Sequence, residues 1–285
     1  MAALASDPFT VYGVDFTSAP RHAKPITIAV GRLQGQSFAL DAIELAHDFA
    51  AFEALLARPG PWIAGIDAPF GLPREAVRDL AWPGEWPALV RHCESLGKVA
   101  FRAALDTYRE SRPFGHRYAH RATDHPAGSH SPLKLVNPPV GLMFLAAAPR
   151  LLAAGVSIPG IHAGDPARIA VEAYPGFTAR AIVSGSYKSD DRAKQTPERH
   201  RLRANIVSTL VTDGGYDGLR LVAHCSLLAT IARDPSGDRL DAVLAAMQAA
   251  WSLGHRDSHF GLPPALDPIE GWIATVPFTA LKTPA

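Results

Sequence analysis

Cysteine is scarce in this 285-residue sequence: the two present, Cys93 and Cys225, lie far apart with no C-x-x-C and no Cys/His spacing. That scarcity argues against a disulfide framework and against a structural zinc site, and a reducing cytoplasm is the expected location. An excess of charge of one sign is also lacking. Lys and Arg number 28 against 27 Asp and Glu, so there is no global basic surplus of the kind on which sequence-independent nucleic-acid binding rests, and any polyanion site must be local. Met1 to Pro8 carry no basic stretch followed by an apolar run, so no secretory signal is read there. The longest apolar tract, Val140 to Val156, is broken by Pro149 and Arg150 and is short for a bilayer, which leaves no membrane role. Internal repeats and low-complexity tracts are absent.

What is present is ample apolar material, 47% of residues, enough for a full core in one large domain or two small ones. Phe9 to Thr17, Ile26 to Leu33 and Ser37 to Leu45 read as three successive strands with Gly- or Pro-containing breaks. Asp48 to Ala57 reads as a capped helix and Trp62 to Asp67 as a fourth strand stopped by Pro69. Arg74 to Gly155 is mainly helical around a loop-like centre, Arg112 to Asn137, and reads as an insertion or lid within a single domain spanning 1–285. Arg168 to Tyr174 resembles a fifth strand. Helices are expected near Phe177 to Val183, Glu198 to Thr212 and Cys225 to Arg233, then a strongly apolar one from Asp238 to Leu253 ended by Gly254. Gly271 to Pro277 reads as a late edge strand. The opening order of three strands, a helix and a fourth strand is how the ribonuclease H fold begins, so the expected class is α/β: a ribonuclease H-like mixed five-stranded sheet flanked by helices, with a large helical and loop insertion.

The carboxylates carry the chemistry. Val11, Gly13 and Asp15 share one face of the first strand, and Ile63, Gly65 and Asp67 repeat the arrangement in the fourth, each time with the acid last. Open α/β sheets place ligands at such strand ends. Asp238 and Asp241, three residues apart at the head of a helix, share a face. A lone strand-end aspartate is more often a turn former, and Asp238 is a natural helix cap; the case rests on the combination. Four acids from three elements make an oxygen-only site that suits Mg2+ or Mn2+ and not zinc, and a pair of such ions serves phosphodiester hydrolysis.

At these residues the chain resembles a family known as domain of unknown function 429, described as predicted nucleases of the ribonuclease H fold. The resembling segments are Tyr12 to Thr17, Gly65 to Gly71, Ser131 to Phe144, Val171 to Pro175, Asp238 to Ala242 and Glu270 to Ile273, and together they span almost the whole chain. The Asp238-x-x-Asp241 pair after two strand-end acids also resembles the Holliday-junction resolvase branch of that superfamily, which implies metal-ligand roles for Asp15, Asp67, Asp238 and Asp241. That branch has a glutamate where this chain has Asp67.

Glu172, closing the fifth strand, is a candidate further ligand or general base, against a solvated strand-end acid. Lys188 is a candidate point charge for a phosphate, against a solvated loop lysine. Arg91 to Lys134 carries eight Lys or Arg and five His against four acids, the one basic stretch in a neutral chain, and could wall a polyanion-binding cleft through Arg117, His120, Arg121 and Lys134. The expected partner is a nucleic acid or phosphate-ester substrate. Three functions compete: a metal-dependent nuclease or phosphodiesterase; a nucleotide-binding kinase or ATPase, faintly indicated by Asp15-Phe-Thr-Ser18; and a non-catalytic binding module on the same scaffold.

Overall fold

A computed structural model describes residues 9–278. Strands β1 (Thr10–Asp15), β2 (Ile26–Gln34) and β3 (Ser37–Ala46) form an antiparallel meander. Helix α1 (Phe49–Leu56) follows; Asp48 caps it by accepting from Ala51 N at 2.8 Å. The chain then enters β4 (Trp62–Ile66), parallel to β1. Residues 74–154 supply α2 (Arg74–Asp79), α3 (Trp86–Glu110), α4 (Asp124–Ala127) and α5 (Val140–Ala154). Helix α3 is two helical runs meeting at Gly97, whose φ of 65° only glycine adopts easily. Strands β5 (Val156–Ser157) and β6 (Asp165–Glu172), helices α6 (Pro175–Ile182) and α7 (Pro197–Val211), strand β7 (Arg220–Val222), and helices α8 (Cys225–Arg233) and α9 (Asp238–Gly254) complete the order.

The sheet is mixed and has seven strands among the described residues, in the order β5-β6-β4-β1-β2-β3-β7. The five expected strands are its contiguous middle. The expectation of five is corrected at the edges, where β5 and β7 are only two and three residues long, too short to show alternation in sequence. Within Gly271 to Pro277 the pairing is limited to a bridge between Ile273 and Glu172.

Alternation along the strands sorts the core onto two faces. Tyr12, Val14, Ile28, Ala64 and Ile66 pack against large side chains from the other helices, among them Phe52, Trp86, Phe101 and Phe144. Val11, Ala29, Ile63 and Val171 face α9 and the helices around it. From Leu240 to Ala250 every residue of α9 is buried, as expected for a helix that is apolar on nearly all sides. It lies directly on the sheet because Gly13 and Gly65 leave room: a methyl group on Gly13 would overlap the backbone of Ala242 and Ala246, and one on Gly65 the carbonyl of Ala245. Among the described residues no helix is long and apolar enough to cross a membrane.

Candidate functional site

The same alternation aims the acids. Asp15 continues the Val11, Gly13 side of β1, and Asp67 continues the Ile63, Gly65 side of β4, so both emerge on the face covered by α9. Their strands are hydrogen-bonded neighbours, with Val14 opposite Ile66 and Asp67 N donating to Val14 O at 2.9 Å. Asp238 and Asp241 occupy the first turn of α9 at this end of the sheet. The helix macrodipole favours acids there. The cap is not Asp238, as its type invites, but Gly237, in a left-handed conformation with φ 78°. Asp234 accepts from Arg239 N at 3.0 Å and Ser236 Oγ from Asp238 N at 3.4 Å, which leaves the Asp238 carboxylate free of a capping role.

The four aspartates feel one another. Burial, then repulsion from Asp241, Asp238 and Asp67, hold Asp15 well above the usual carboxylate range against the pull of Lys188. Burial pushes Asp67 up to about 7, again with Lys188 opposing and with Asp241 and Glu172 adding to the rise. Asp238 is raised by burial, partly offset by Lys24. Asp241 is fully buried and accepts from the Tyr187 hydroxyl at 2.5 Å and from the Lys188 ammonium. Burial alone would lower Lys188, but Asp241, Tyr187 and Asp15 outweigh it and raise the ammonium well above its ordinary value. Lys188 approaches because Gly237 is bare: a Cβ there would stand 2.7 Å from that of Lys188. Lys24 reaches Asp238 at 3.7 Å while bonded to Asp190 at 2.7 Å.

Among the described residues no three acidic, imidazole or thiol side chains already surround a single point as a coordination shell; Lys188 draws Asp241 and Lys24 draws Asp238. The chemistry of the donor set nonetheless fits a hard divalent cation. Two ammonium groups, one of them shared with Asp190, stand against the four carboxylates, and burial, with repulsion from neighbouring acids adding to it, raises Asp15 and Asp67.

Several expected site residues lie elsewhere. Glu172 pairs with Ile66 in the β4–β6 register, while Val171 pairs with Gly65. It therefore leaves the sheet on the side away from α9, with both oxygens engaged: Oε1 accepts from Arg121 Nη2 at 2.8 Å, and Oε2 from Arg121 Nη1 at 2.8 Å and Phe70 N at 2.9 Å. Here the Glu172 carboxylate is committed to Arg121 and Phe70 N, where its position invites a ligand or general base. Arg121 is corrected likewise. It is buried, and all five of its N–H groups are used, by Glu172, Asp124 and the Glu270 carbonyl. Those anions hold it above the usual guanidinium value despite its burial, and no donor remains for a phosphate. Lys188 is no free point charge either, since Asp241 holds it.

Arg117, by contrast, is exposed and stacks over Phe114, 5.6 Å from the ring centroid. With His120 it lines an open cleft of about 760 Å³ that also takes in Arg109, Arg112 and His116. His120 stacks on His125 at 4.5 Å; burial, then the charge of His125, lowers its pKa against the pull of Asp124. Lys134 Nζ stands 3.2 Å from His130 Nε2. The basic segment thus borders the site without joining the acids. The sequence reading missed Tyr187 and Lys24, whose partners lie 54 and 214 residues away; the Tyr187-Lys188 pair after the Ser184 to Ser186 turn was the one local hint.

A family model described as "Protein of unknown function (DUF429)" matches residues 13–265. Comparison with curated proteins and with solved structures returns no match.

Proposed function

The chain belongs to the DUF429 family, and from that premise we propose that it is a divalent-metal-dependent phosphodiester hydrolase, a nuclease, with a ribonuclease H-like arrangement of sheet and helices. The observation that carries this reading is the convergence of Asp15, Asp67, Asp238 and Asp241 on the α9 face at one end of the parallel strands, with too little positive charge to match them. The meander, the helix and the parallel fourth strand support the fold relationship.

Asp15, Asp67 and Asp241, with Asp238 at the rim, would hold Mg2+ or Mn2+. The ion, when bound, supplies charge stabilisation at the phosphoryl oxygens and lowers the pKa of bound water. The chain's own groups do the rest. Tyr187 fixes one oxygen of Asp241 by its hydroxyl, so that the acid keeps one rotamer. Lys188, once released from Asp241, is the ammonium nearest the acids and able to meet a phosphate oxygen. Hydrolysis adds water across one P–O bond: the hydroxyl goes to phosphorus, the proton to the leaving oxygen, and the products are a phosphate monoester and an alcohol.

The test is release of product from labelled single-stranded DNA and RNA with Mg2+ or Mn2+, run beside Asp15→Asn and Asp67→Asn. Cleavage by the wild type, reduced ~100-fold or more in either variant, is expected. Absence of cleavage by the wild type on every substrate, or equal cleavage by both variants, contradicts the reading.

A further inference from the structure

Four of the segments singled out in the sequence carry no acid of the cluster, or only Asp67, and the rest of their residues have no part in the chemistry above. They meet at one place. Beside Asp67 lies a cavity of about 280 Å³. Ala68 and Pro69 form its wall next to Asp67; Pro138, Val140 and Met143 come from the Ser131 to Phe144 segment; Ala173, Tyr174 and Ile273 close it from the far side of β6. Its lining also includes Lys188, which is bonded to Asp241, and the polar Ser129 and His130. Arg121 and Glu172 also border it, but their bonds are spent on each other. Burial, then Lys134, His120 and Arg180, lower the His130 pKa.

An apolar slot with two ring side chains, an anion-binding ammonium and a metal-type carboxylate at its mouth has the chemistry of a nucleotide subsite. Aromatic and apolar walls take the face of a base, while phosphate goes to the charged end. The volume sets the size. At just under the ~300–1,000 Å³ of pockets that engulf drug-sized ligands, it suits one base better than a base pair. Asp67 lies in the wall, so a base seated here puts its own phosphate beside the acids.

Resting on the nuclease reading, we propose that this cavity seats one unpaired base of a single strand, with the adjoining phosphodiester at Lys188 and the Asp15, Asp67 and Asp241 carboxylates. The protein then cuts single strands and leaves a fully paired duplex whole.

The experiment compares binding of adenosine 5′-monophosphate with ribose 5-phosphate, which lacks the base, by calorimetry in the presence of Mn2+; Mn2+ binding itself is followed separately by electron paramagnetic resonance. Wild type is expected to bind the nucleotide at least about 10-fold more tightly, the scale of one stacked base. Val140→Trp and Met143→Trp, both on the partly exposed start of α5, should fill the slot and abolish that preference while leaving Mn2+ binding intact. Cleavage should consume single strands and leave a fully paired duplex whole. Equal binding of the two probes by wild type, a preference that survives either tryptophan in a folded protein, or cutting of the duplex overturns the proposal. The two readings fail separately: absence of Mn2+ binding with the base preference retained removes the nuclease reading and keeps the slot, whereas Mn2+ binding without a base preference removes the slot alone.

Discussion

Two ionic clusters occupy the same end of the parallel strands, one on each face of the sheet, and they are balanced differently. On the face away from α9, Arg121 meets Glu172, Asp124 and a carbonyl with every donor used, and Asp124 also accepts from Arg121 N at 2.8 Å and Ser129 Oγ at 3.0 Å. On the α9 face, four aspartates share two lysines and a tyrosine, and Asp15, Asp67 and Asp238 are held above their usual pKa. A buried ion network with every bond made is a fastening. One left short of positive charge is what the proposed cation site requires. On that proposal the same residue types at the same sheet end do different work, and the completeness of their pairing is what would tell them apart.

The comparison can be broken first at the fastening. Arg121→Met leaves Glu172 and Asp124 buried without their partner, and a loss of about 3–5 kcal/mol in urea unfolding is expected; a loss below about 1 kcal/mol would remove the distinction between the clusters. Next, Asp67→Asn should cost ~100-fold in metal-dependent cleavage, about 2.7 kcal/mol of transition-state stabilisation, while the metal-free protein stays as stable as wild type or gains. A parallel fall in stability and activity would make Asp67 a second fastening. Lys188→Met should lower metal-free stability by a smaller ~1–2 kcal/mol, less than a fully buried pair costs, because its side chain is 42% exposed. The same change should tighten Mn2+ binding by removing a competing cation; weaker Mn2+ binding goes against the assignment.

The comparison also shows in pH dependence. Asp67 has a folded pKa of about 7 against an ordinary 3.8, so between those values the folded chain holds a proton that the unfolded chain has released. Stability of the metal-free protein should therefore be greatest below about pH 4 as far as this group is concerned, and decline as pH rises toward about 7. Asp15 acts in the same direction. Asp67→Asn should flatten the decline in thermal melts across that window, and an unchanged slope would show that the proton sits elsewhere.

Much of this was legible in the sequence. Alternation along Val11 to Asp15 and Ile63 to Asp67 was enough to give both acids one face, and the apolar run after Asp238 was enough to bury α9. What could not be read depends on pairings between distant segments. The side of the sheet taken by Glu172 follows from its register opposite Ile66, which no local pattern in Arg168 to Tyr174 specifies. Arg121 sits in a polar, loop-like stretch typical of solvent-facing basic residues, and its burial depends on Glu172, 51 residues later. Asp238 looked like a cap because its residue type favours one; Gly237 takes the left-handed turn instead, and Asp234, five residues before its partner Arg239, supplies the carboxylate. Gly13 and Gly65 were visible on the acid face, but the reason for them, the close approach of a helix some 230 and 180 residues later in the chain, was not.

The central claim, that the under-matched acids await a divalent cation, is tested most directly by a crystal soaked in Mn2+ and measured at the manganese absorption edge. An anomalous peak among Asp15, Asp67 and Asp241, with Lys188 withdrawn from Asp241, is the expected result. A map with no peak there, and with Lys188 still on Asp241, contradicts it.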